Sequence, residues 1–487
     1  MKLKSIKILN YRSVEEVIIE IDSLDDRSFT YGLIGINEAG KSSILKSLAL
    51  LDEHTGIKPE AHDFYDKTKP IEIIYLYNQS KEEIAENKSI LLEKLPELKT
   101  KIENRELEEV ELKGGFLITD LQNKKSIIFS KLSSDQKELI ENTLADTVYA
   151  NSHYTIYWKS EDKYLISSQI SLASFSEDPS NVSIPLKNCF TLIGLDTKEK
   201  IKEKIIQISN DSTERELLRE DLGKKVTNLI KKVWPNHPVV ITFDISGDSI
   251  NFHIKDPNGK PRTTNQRSDG FKQFVSFLLN ISSQKENNEL SDSLILLDEP
   301  ETHLHPQAQE YFLAELIKLT QSENNICFFA THSNYMVDKN ILSRNFRVVK
   351  VEKDGKTMIE RLNKKISTYA SVNYEVFNIS STDYFNELYS CLHQKYIDEA
   401  INEGEEKERS FIKNFDKDYL LPKSKKKNKW KHLNKKGEEI EENISIYSYL
   451  RHLIHHPERR EANKLFSLDK DLSVCIEEMI KIKEDEK

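Results

Sequence analysis

Cysteine is scarce in this chain, and long apolar runs are missing. The four cysteines of 487 residues, Cys189, Cys327, Cys391 and Cys475, are scattered too widely for a disulfide framework or a zinc site. No apolar run approaches the roughly 20 residues needed to span a bilayer. The opening Met1-Lys2-Leu3-Lys4-Ser5-Ile6-Lys7-Ile8 alternates with period two, which predicts an edge strand, and it has no signal-peptide core. The compartment expected is therefore the cytoplasm. Basic residues are in deficit, 71 against 81 acids for a net charge of −10, which argues against a protein that coats nucleic acid over its whole surface. Sustained heptads are absent, which excludes a long coiled coil, and no Met or aromatic cofactor box is evident.

What is present is Gly35-Ile36-Asn37-Glu38-Ala39-Gly40-Lys41-Ser42, a G-x-x-x-x-G-K-[ST] pattern. It lies between Thr30–Ile34, which reads as a buried strand, and Ser43–Leu51, which reads as a helix with its N-terminus toward an anion. The glycines let successive N–H groups turn toward phosphate oxygens, Lys41 reaches the terminal phosphates and Ser42 offers a hydroxyl to Mg2+. Asn37, Glu38, Ala39, Gly40, Lys41, Ser42 and Ser43 are thus the expected ATP-binding set. Far downstream, Leu294-Ile295-Leu296-Leu297-Asp298-Glu299 reads as a strand buried on both faces with two acids at its C-terminal edge. Asp298 joins Ser42 as the expected metal ligand, and Glu299 is placed to deprotonate the attacking water. A further buried strand, Ile326–Ala330, ends at Thr331-His332-Ser333, which positions His332 as a γ-phosphate sensor.

Together with Asn10-Tyr11-Arg12-Ser13, Arg267-Ser268-Asp269-Gly270-Phe271-Lys272-Gln273 and Asp298-Glu299-Pro300-Glu301-Thr302-His303-Leu304-His305-Pro306, these motifs resemble the ABC-type ATPases of the SMC, RecF and OLD group over most of residues 1–355. The resemblance implies an α/β fold, a P-loop ABC-type head with short helical insertions and a helical C-terminal domain. It also implies that Arg12 contacts nucleotide, that Ser268 and Gly270 complete the ATP site of an opposite subunit, and that Glu299 and His332 act in hydrolysis. Glu301 to Pro306 correspond to the loop that crosses the dimer interface. Asp269 departs from the glycine of transporter signatures, and Gln79 is a candidate for the lid-loop glutamine.

The organisation expected is an ATPase lobe at 1–80, an insertion with helical arms and strands at 81–232, a second ATPase lobe at 233–362 and a helical partner- or nucleic-acid-binding domain at 363–487. Lys81 to Glu111 and Thr197 to Lys232 read as the helical arms, and Val239–Ser246 with Ser249–Ile254 as a hairpin. Lys423 to Lys436 carries eight lysines and no acid around Trp430. It reads either as a solvated loop or as a phosphate-contacting surface on which Trp430 stacks a base or packs on the domain. Glu403-Gly404-Glu405 and Asp416-Lys417-Asp418 lack the strand context of the Toprim nuclease domain found in OLD proteins, so they read as helix surface and turn. Arg451 and His456, in Tyr449-Leu450-Arg451-His452-Leu453-Ile454-His455-His456-Pro457-Glu458, match the R-x4-H pattern of HEPN ribonucleases. A structural or partner-docking role for this helix end is the competing reading.

The layout is also similar to the ATPase subunits (PtuA-like) of Septu anti-phage systems and their retron-linked relatives. That similarity implies a homo-oligomer gating a separate HNH nuclease, with DNA or a retron RNA–DNA hybrid as a further partner. The alternative is a self-sufficient ATP-controlled nuclease, HEPN-like or OLD-like, or a DNA-repair ATPase.

Overall fold

The computed structural model describes residues 1–98, 102–133, 135–159, 161–167, 169–233, 240–255, 261–264, 272, 273, 275–277, 279, 291–321, 324–351, 353–362, 368–400, 412–433, 437–456 and 468–484. They fall into two compact units, Met1–Lys365 and Ile366–Lys487. No helix among the described residues is long and apolar enough to cross a membrane.

The first unit is α/β. It begins with β1 (Lys2–Tyr11), β2 (Val14–Glu20), β3 (Thr30–Ile34) and β4 (Ile71–Asn78), then β5 (Glu109–Leu117), β6 (Asp120–Ile128) and β7 (Tyr154–Lys159). A five-stranded antiparallel sheet runs β2-β1-β4-β5-β6. The period-two start of the chain is therefore not an edge, because β1 pairs with both β2 and β4. The first helical arm is also shorter than its charge pattern predicts. Its helix covers Lys81–Lys94, and from Glu109 the chain is a strand. The reason is visible in β5, where Val110, Leu112 and Phe116 are buried and alternate with partly exposed Glu109, Glu111 and Lys113, a period of two rather than 3.6. The second arm is a helical pair, Lys198–Asn210 and Ser212–Val233, separated by Asp211, whose carboxylate accepts from the backbone of Thr213 and Glu214.

A smaller sheet combines β8 (Ile170–Ser171), the hairpin of β9 (Val240–Ser246) and β10 (Ser249–Lys255), and β11 (Pro261–Thr263). The six-stranded central sheet adds β12 (Ser293–Asp298), β13 (Ile326–Thr331), β14 (Asn345–Lys350) and β15 (Thr357–Arg361), in the order β15-β14-β3-β13-β12-β7. All its pairings are parallel except β14 with β15. β3 and β13 are buried along their whole length, which is why their sequences carry no charge and show no polar–apolar alternation.

One buried cation stitches this sheet together from behind. Arg344, with no exposed side-chain surface, donates from Nε to Asp338 (2.7 Å) and from its other nitrogens to Asp26, Ser28 Oγ and the Thr30 carbonyl. Every contact falls on the entry to β3 or the approach to β14.

The second unit contains helices Tyr369–Phe377, Thr382–Ala400, Ile446–His455 and Leu468–Glu484, but it is not purely helical. The lysine-rich segment forms β16 (Lys427–Leu433), paired with β17 (Glu439–Ser445). Within it Lys427, Lys429 and Lys431 face outward while Asn428, Trp430 and His432 turn in, so the run is a solvated strand face over a buried tryptophan. Trp430 packs edge-on against Tyr449 and stacks on His452, and Lys425 and Lys429 pair with Glu478 and Glu441. Asp416, read as turn surface, is buried and accepts from the backbone N–H and hydroxyl of Ser445, the residue that caps helix Ile446–His455.

Arg344→Ala strands Asp26 and Asp338 beside a cavity, so the unfolding free energy of the first unit should fall by about 3–5 kcal/mol. Urea titration with fluorescence detection measures it, and a loss near zero would show that the acids rehydrate at no cost.

Candidate functional site

The parallel register fixes where the chemistry stands. Thr331 lies beside Ile34 and Asp298 beside Ala330, so β3, β13 and β12 end at one sheet edge. From that edge β3 enters the loop Gly35–Gly40 and then α1 (Lys41–Ala49). The loop admits no other shape. A Cβ on Gly35 would stand 2.4 Å from the Val348 carbonyl, and Gly40, at φ +106°, would put one 2.2 Å from Thr357 Oγ1. Glu38 also takes a left-handed backbone, φ +64°. Ile36, Asn37 and Glu38 are exposed, whereas the Ala39 methyl is buried and leaves only its backbone to the site. Gly40 at the N-cap brings no side chain to the first-turn N–H groups, where Lys41, Ser42 and Ser43 sit.

Lys41 is buried, and its ammonium donates to the carbonyls of Gly35 (2.9 Å) and Ile36 (2.8 Å). Burial pushes its pKa down, against the opposing fields of Glu299, Asp298 and Glu301. Ser42 Oγ donates to Asp298 Oδ1 at 2.7 Å, although 256 residues separate them. Burial raises the Asp298 pKa, the Ser42 hydrogen bond opposes that, and Glu299 adds to it. A hydroxyl and a carboxylate side by side under a desolvated ammonium fit Mg2+, a hard ion that takes oxygen ligands. Ser42 and Asp298 would hold it, and it would supply charge neutralisation to the phosphates.

Glu299 follows Asp298 in a left-handed conformation, φ +51°, that turns its side chain out of the strand. Its Oε1 lies 3.3 Å from His332 Nδ1, and both side chains are partly exposed. A carboxylate and an imidazole thus meet at the mouth of the phosphate loop, with Lys41 and Asp298 behind them. Glu301 goes the other way. It is buried and hydrogen-bonded to the Thr331 hydroxyl, its second oxygen has no partner among the described residues, and burial lifts its pKa to about 7. In the Glu301–Pro306 loop it is His303 and His305 that are exposed.

Arg12 sits in the β1–β2 turn at φ +52°, with Nε donating to Asp63 (2.6 Å) and the guanidinium over the Tyr11 ring. Gln79 is not brought to the site, since its amide donates to the Leu107 carbonyl and accepts from Asn87. Ser268 and Gly270 lie outside the described residues. Sequence reasoning missed Thr357 and Lys159, and gave Ser13 no bracing role. Thr357 Oγ1 donates to the Ala39 carbonyl (3.1 Å) and meets Ser13 Oγ (2.8 Å), bracing the loop from β15 and from the β1–β2 turn. Lys159 ends β7 in register with Asp298, beside Glu161. Only the apolar run Thr155–Trp158 hinted at this strand, nothing local marked Thr357, and Ser13 was quoted only as the end of the Asn10–Ser13 motif, with no role assigned to it.

The Glu301 shift has a pH signature. Its folded pKa is above the ordinary 4.5, so the unfolded chain releases that proton first and stability falls as pH rises from 4.5 toward 7. Glu301→Gln should remove that downward slope, worth at most about 3 kcal/mol, in Tm measured against pH. Parallel slopes in the two proteins would place the titration elsewhere.

Comparison with known proteins bears on this constellation. A 142-residue match, 27% identical and covering 28% of this chain and 36% of its relative, links it to the uncharacterized protein MJECL43 of Methanocaldococcus jannaschii. Old nuclease of Escherichia phage P2 is 23% identical over 422 residues, 79% of this chain and 66% of that protein. The chain thus spans about a third of one curated relative and just under two thirds of the other. Among solved structures, an SMC head bound to the C-terminal winged-helix domain of ScpA matches over 74% of this chain and 98% of that one, at 13% identity and a TM-score of 0.43. The model of the AAA ATPase domain matches residues 1–337, which contain Ser42, Asp298, Glu299 and His332, and the chain belongs to that family.

Proposed function

We propose that the protein is an ABC-type ATP hydrolase that closes as a head-to-tail dimer on ATP and Mg2+, and that this closure gates a separate HNH-type nuclease in an anti-phage defence complex. The observation that carries the ATPase part is the meeting of Ser42 with Asp298 and of Glu299 with His332 at one sheet edge. When ATP arrives, the Lys41 ammonium exchanges the Gly35 and Ile36 carbonyls for phosphate oxygens, and the first turn of α1 supplies N–H donors. Glu299 takes the proton of the attacking water while His332 holds the terminal phosphate oxygen. Ser268 and Gly270 of a second copy complete the site, so a hydroxyl and a helix N-terminus reach the γ-phosphate only in the closed dimer. The gating of a nuclease rests on the resemblance to Septu and retron-linked ATPases, with DNA or an RNA–DNA hybrid as the nucleic acid sensed. The phage P2 relative, a nuclease by name, is consistent with work on nucleic acid.

Lys41→Ala should abolish ATP binding, and Glu299→Gln should bind ATP, lose ~10²–10⁴-fold in hydrolysis and accumulate as a dimer in sedimentation. Ser268→Arg alone should bind ATP without closing. Mixing it with Lys41→Ala creates dimers with one doubly damaged and one intact composite site, so part of the ATPase activity should return. No return in verified mixed dimers would remove the shared-site reading.

A further inference from the structure

The His332 ring contacts Glu299 Oε1 at 3.3 Å, and both side chains are partly exposed. That contact does not fix the ring, because a partly exposed imidazole at the long end of hydrogen-bond range is free to turn into another staggered rotamer. What fixes it lies on either side in the chain. The Ala330 carbonyl accepts from the N–H of Glu299 (3.0 Å). Thr331, buried at the end of β13, donates its hydroxyl to Glu301 Oε1 and accepts from the N–H of Ser333 (2.9 Å). Ser333 donates its own hydroxyl to Gln309 Oε1 (2.5 Å), in the first turn of helix Pro306–Leu319. Gln309 then donates from Nε2 to the Leu304 carbonyl (2.8 Å). The stretch to which these bonds run is closed on itself, since the Thr302 hydroxyl donates to the Glu299 carbonyl (2.9 Å) and the Leu304 N–H to the Glu301 carbonyl (2.9 Å). Both chain neighbours of His332 are therefore tied to the segment that carries Glu299.

We propose that Glu301 and Gln309 are positioning residues for ATP hydrolysis, which clamp Thr331 and Ser333 and so set the His332 imidazole against the Glu299 carboxylate. The inference deepens the ATP-hydrolase reading and rests on it. Two observations separate the clamps from ordinary packing. The first is the cost of Glu301: its carboxyl is buried, makes its one side-chain hydrogen bond among the described residues to Thr331, and leaves its second oxygen unpartnered there. A buried polar group left half satisfied is unfavourable, and an apolar side chain would fill the space without that penalty. The second is redundancy. β13 is already held by its parallel ladders with β12 and β3, so the Thr331 hydroxyl is not needed to place the strand. Its bonds act on the residues beyond the strand end, where His332 stands.

The consequence is kinetic. Neither clamp touches Lys41 or Ser42, which hydrogen-bond to the loop carbonyls and to Asp298. Releasing a clamp should thus leave ATP binding in place and misplace one member of the hydrolytic pair, and a displacement of about 1 Å is enough to cost ~10²-fold in rate.

The test measures kcat and KM for ATP in Mg2+ with the full chain. Thr331→Val and Gln309→Leu should each lower kcat ~10–10²-fold with KM unchanged, whereas Thr331→Ser, which keeps the hydroxyl, should restore the rate. In a His332→Ala background neither Thr331→Val nor Gln309→Leu should lower kcat further, because the ring they position is gone. Histidine-selective NMR of the nucleotide-free protein gives a readout apart from turnover: the His332 ring signal, identified by its loss in His332→Ala, should move in Gln309→Leu and Thr331→Val and stay in Thr331→Ser. Thr331 is buried, so if Thr331→Val fails to fold, Gln309→Leu on the partly exposed helix start decides the matter. A folded Gln309→Leu with the parental kcat, a loss that adds to that of His332→Ala, a raised KM at unchanged kcat, or an unmoved ring signal overturns the proposal. Failure of the ATPase reading shows differently, as hydrolysis that is absent from the parental protein or survives Lys41→Ala, and the ring signal then decides the clamps alone.

Discussion

The constraint on which the first unit depends is the alignment of β3, β13 and β12, because it places a serine at one chain position and an aspartate 256 residues later within a hydrogen bond. Neither group is stable alone at that depth. The Asp298 carboxylate is desolvated enough to raise its pKa, and the Lys41 ammonium enough to lower its own. Charges in that position persist only when paired or hydrogen-bonded, so each member of the cluster is a condition for the others. On the proposed ATPase reading, that cost would be recovered as phosphates and a divalent ion took the place of the present partners, since electrostatic interactions are strongest where water has been excluded.

Part of the backbone strain lies at the same edge. Arg12, Glu38, Glu299 and His303 all have positive φ, and Gly35 and Gly40 lie where a Cβ would collide with Val348 or Thr357. Non-glycine residues are held this way only by surroundings that over-determine them, and here the loop is braced by Thr357 and Ser13. The strain therefore turns Glu299 toward His332 while Glu301, two residues later, returns to the interior.

Most of this site was legible in the sequence because its signals are local. A glycine-bounded loop before a helix and an apolar run ending in two acids each imply a backbone state, and the structure has both. What was illegible depends on chains meeting from afar. Thr357 and Lys159 are ordinary residues until β15 and β7 bring them to the loop and to Asp298. β1 reads as an edge because alternation reports one buried face and says nothing of how many neighbours a strand has. The second arm kept its helical period, whereas at Glu109 the charges obscured a change of period to two.

The second unit shows the same limit more sharply. A run of lysines around a tryptophan has the composition of a solvated loop, and only pairing with β17 separates its faces, sending lysines to solvent and Asn428, Trp430 and His432 inward. That inward face supports His452, which in turn is stacked a short way from His456. The R-x4-H spacing places two residues near one helix end, but spacing alone cannot decide between a cap and a site. Asp416 secures the start of the helix through Ser445, the helix ends at His456, whose N–H donates to the His452 carbonyl, and Arg451 and His456 stand on the wall of a cavity.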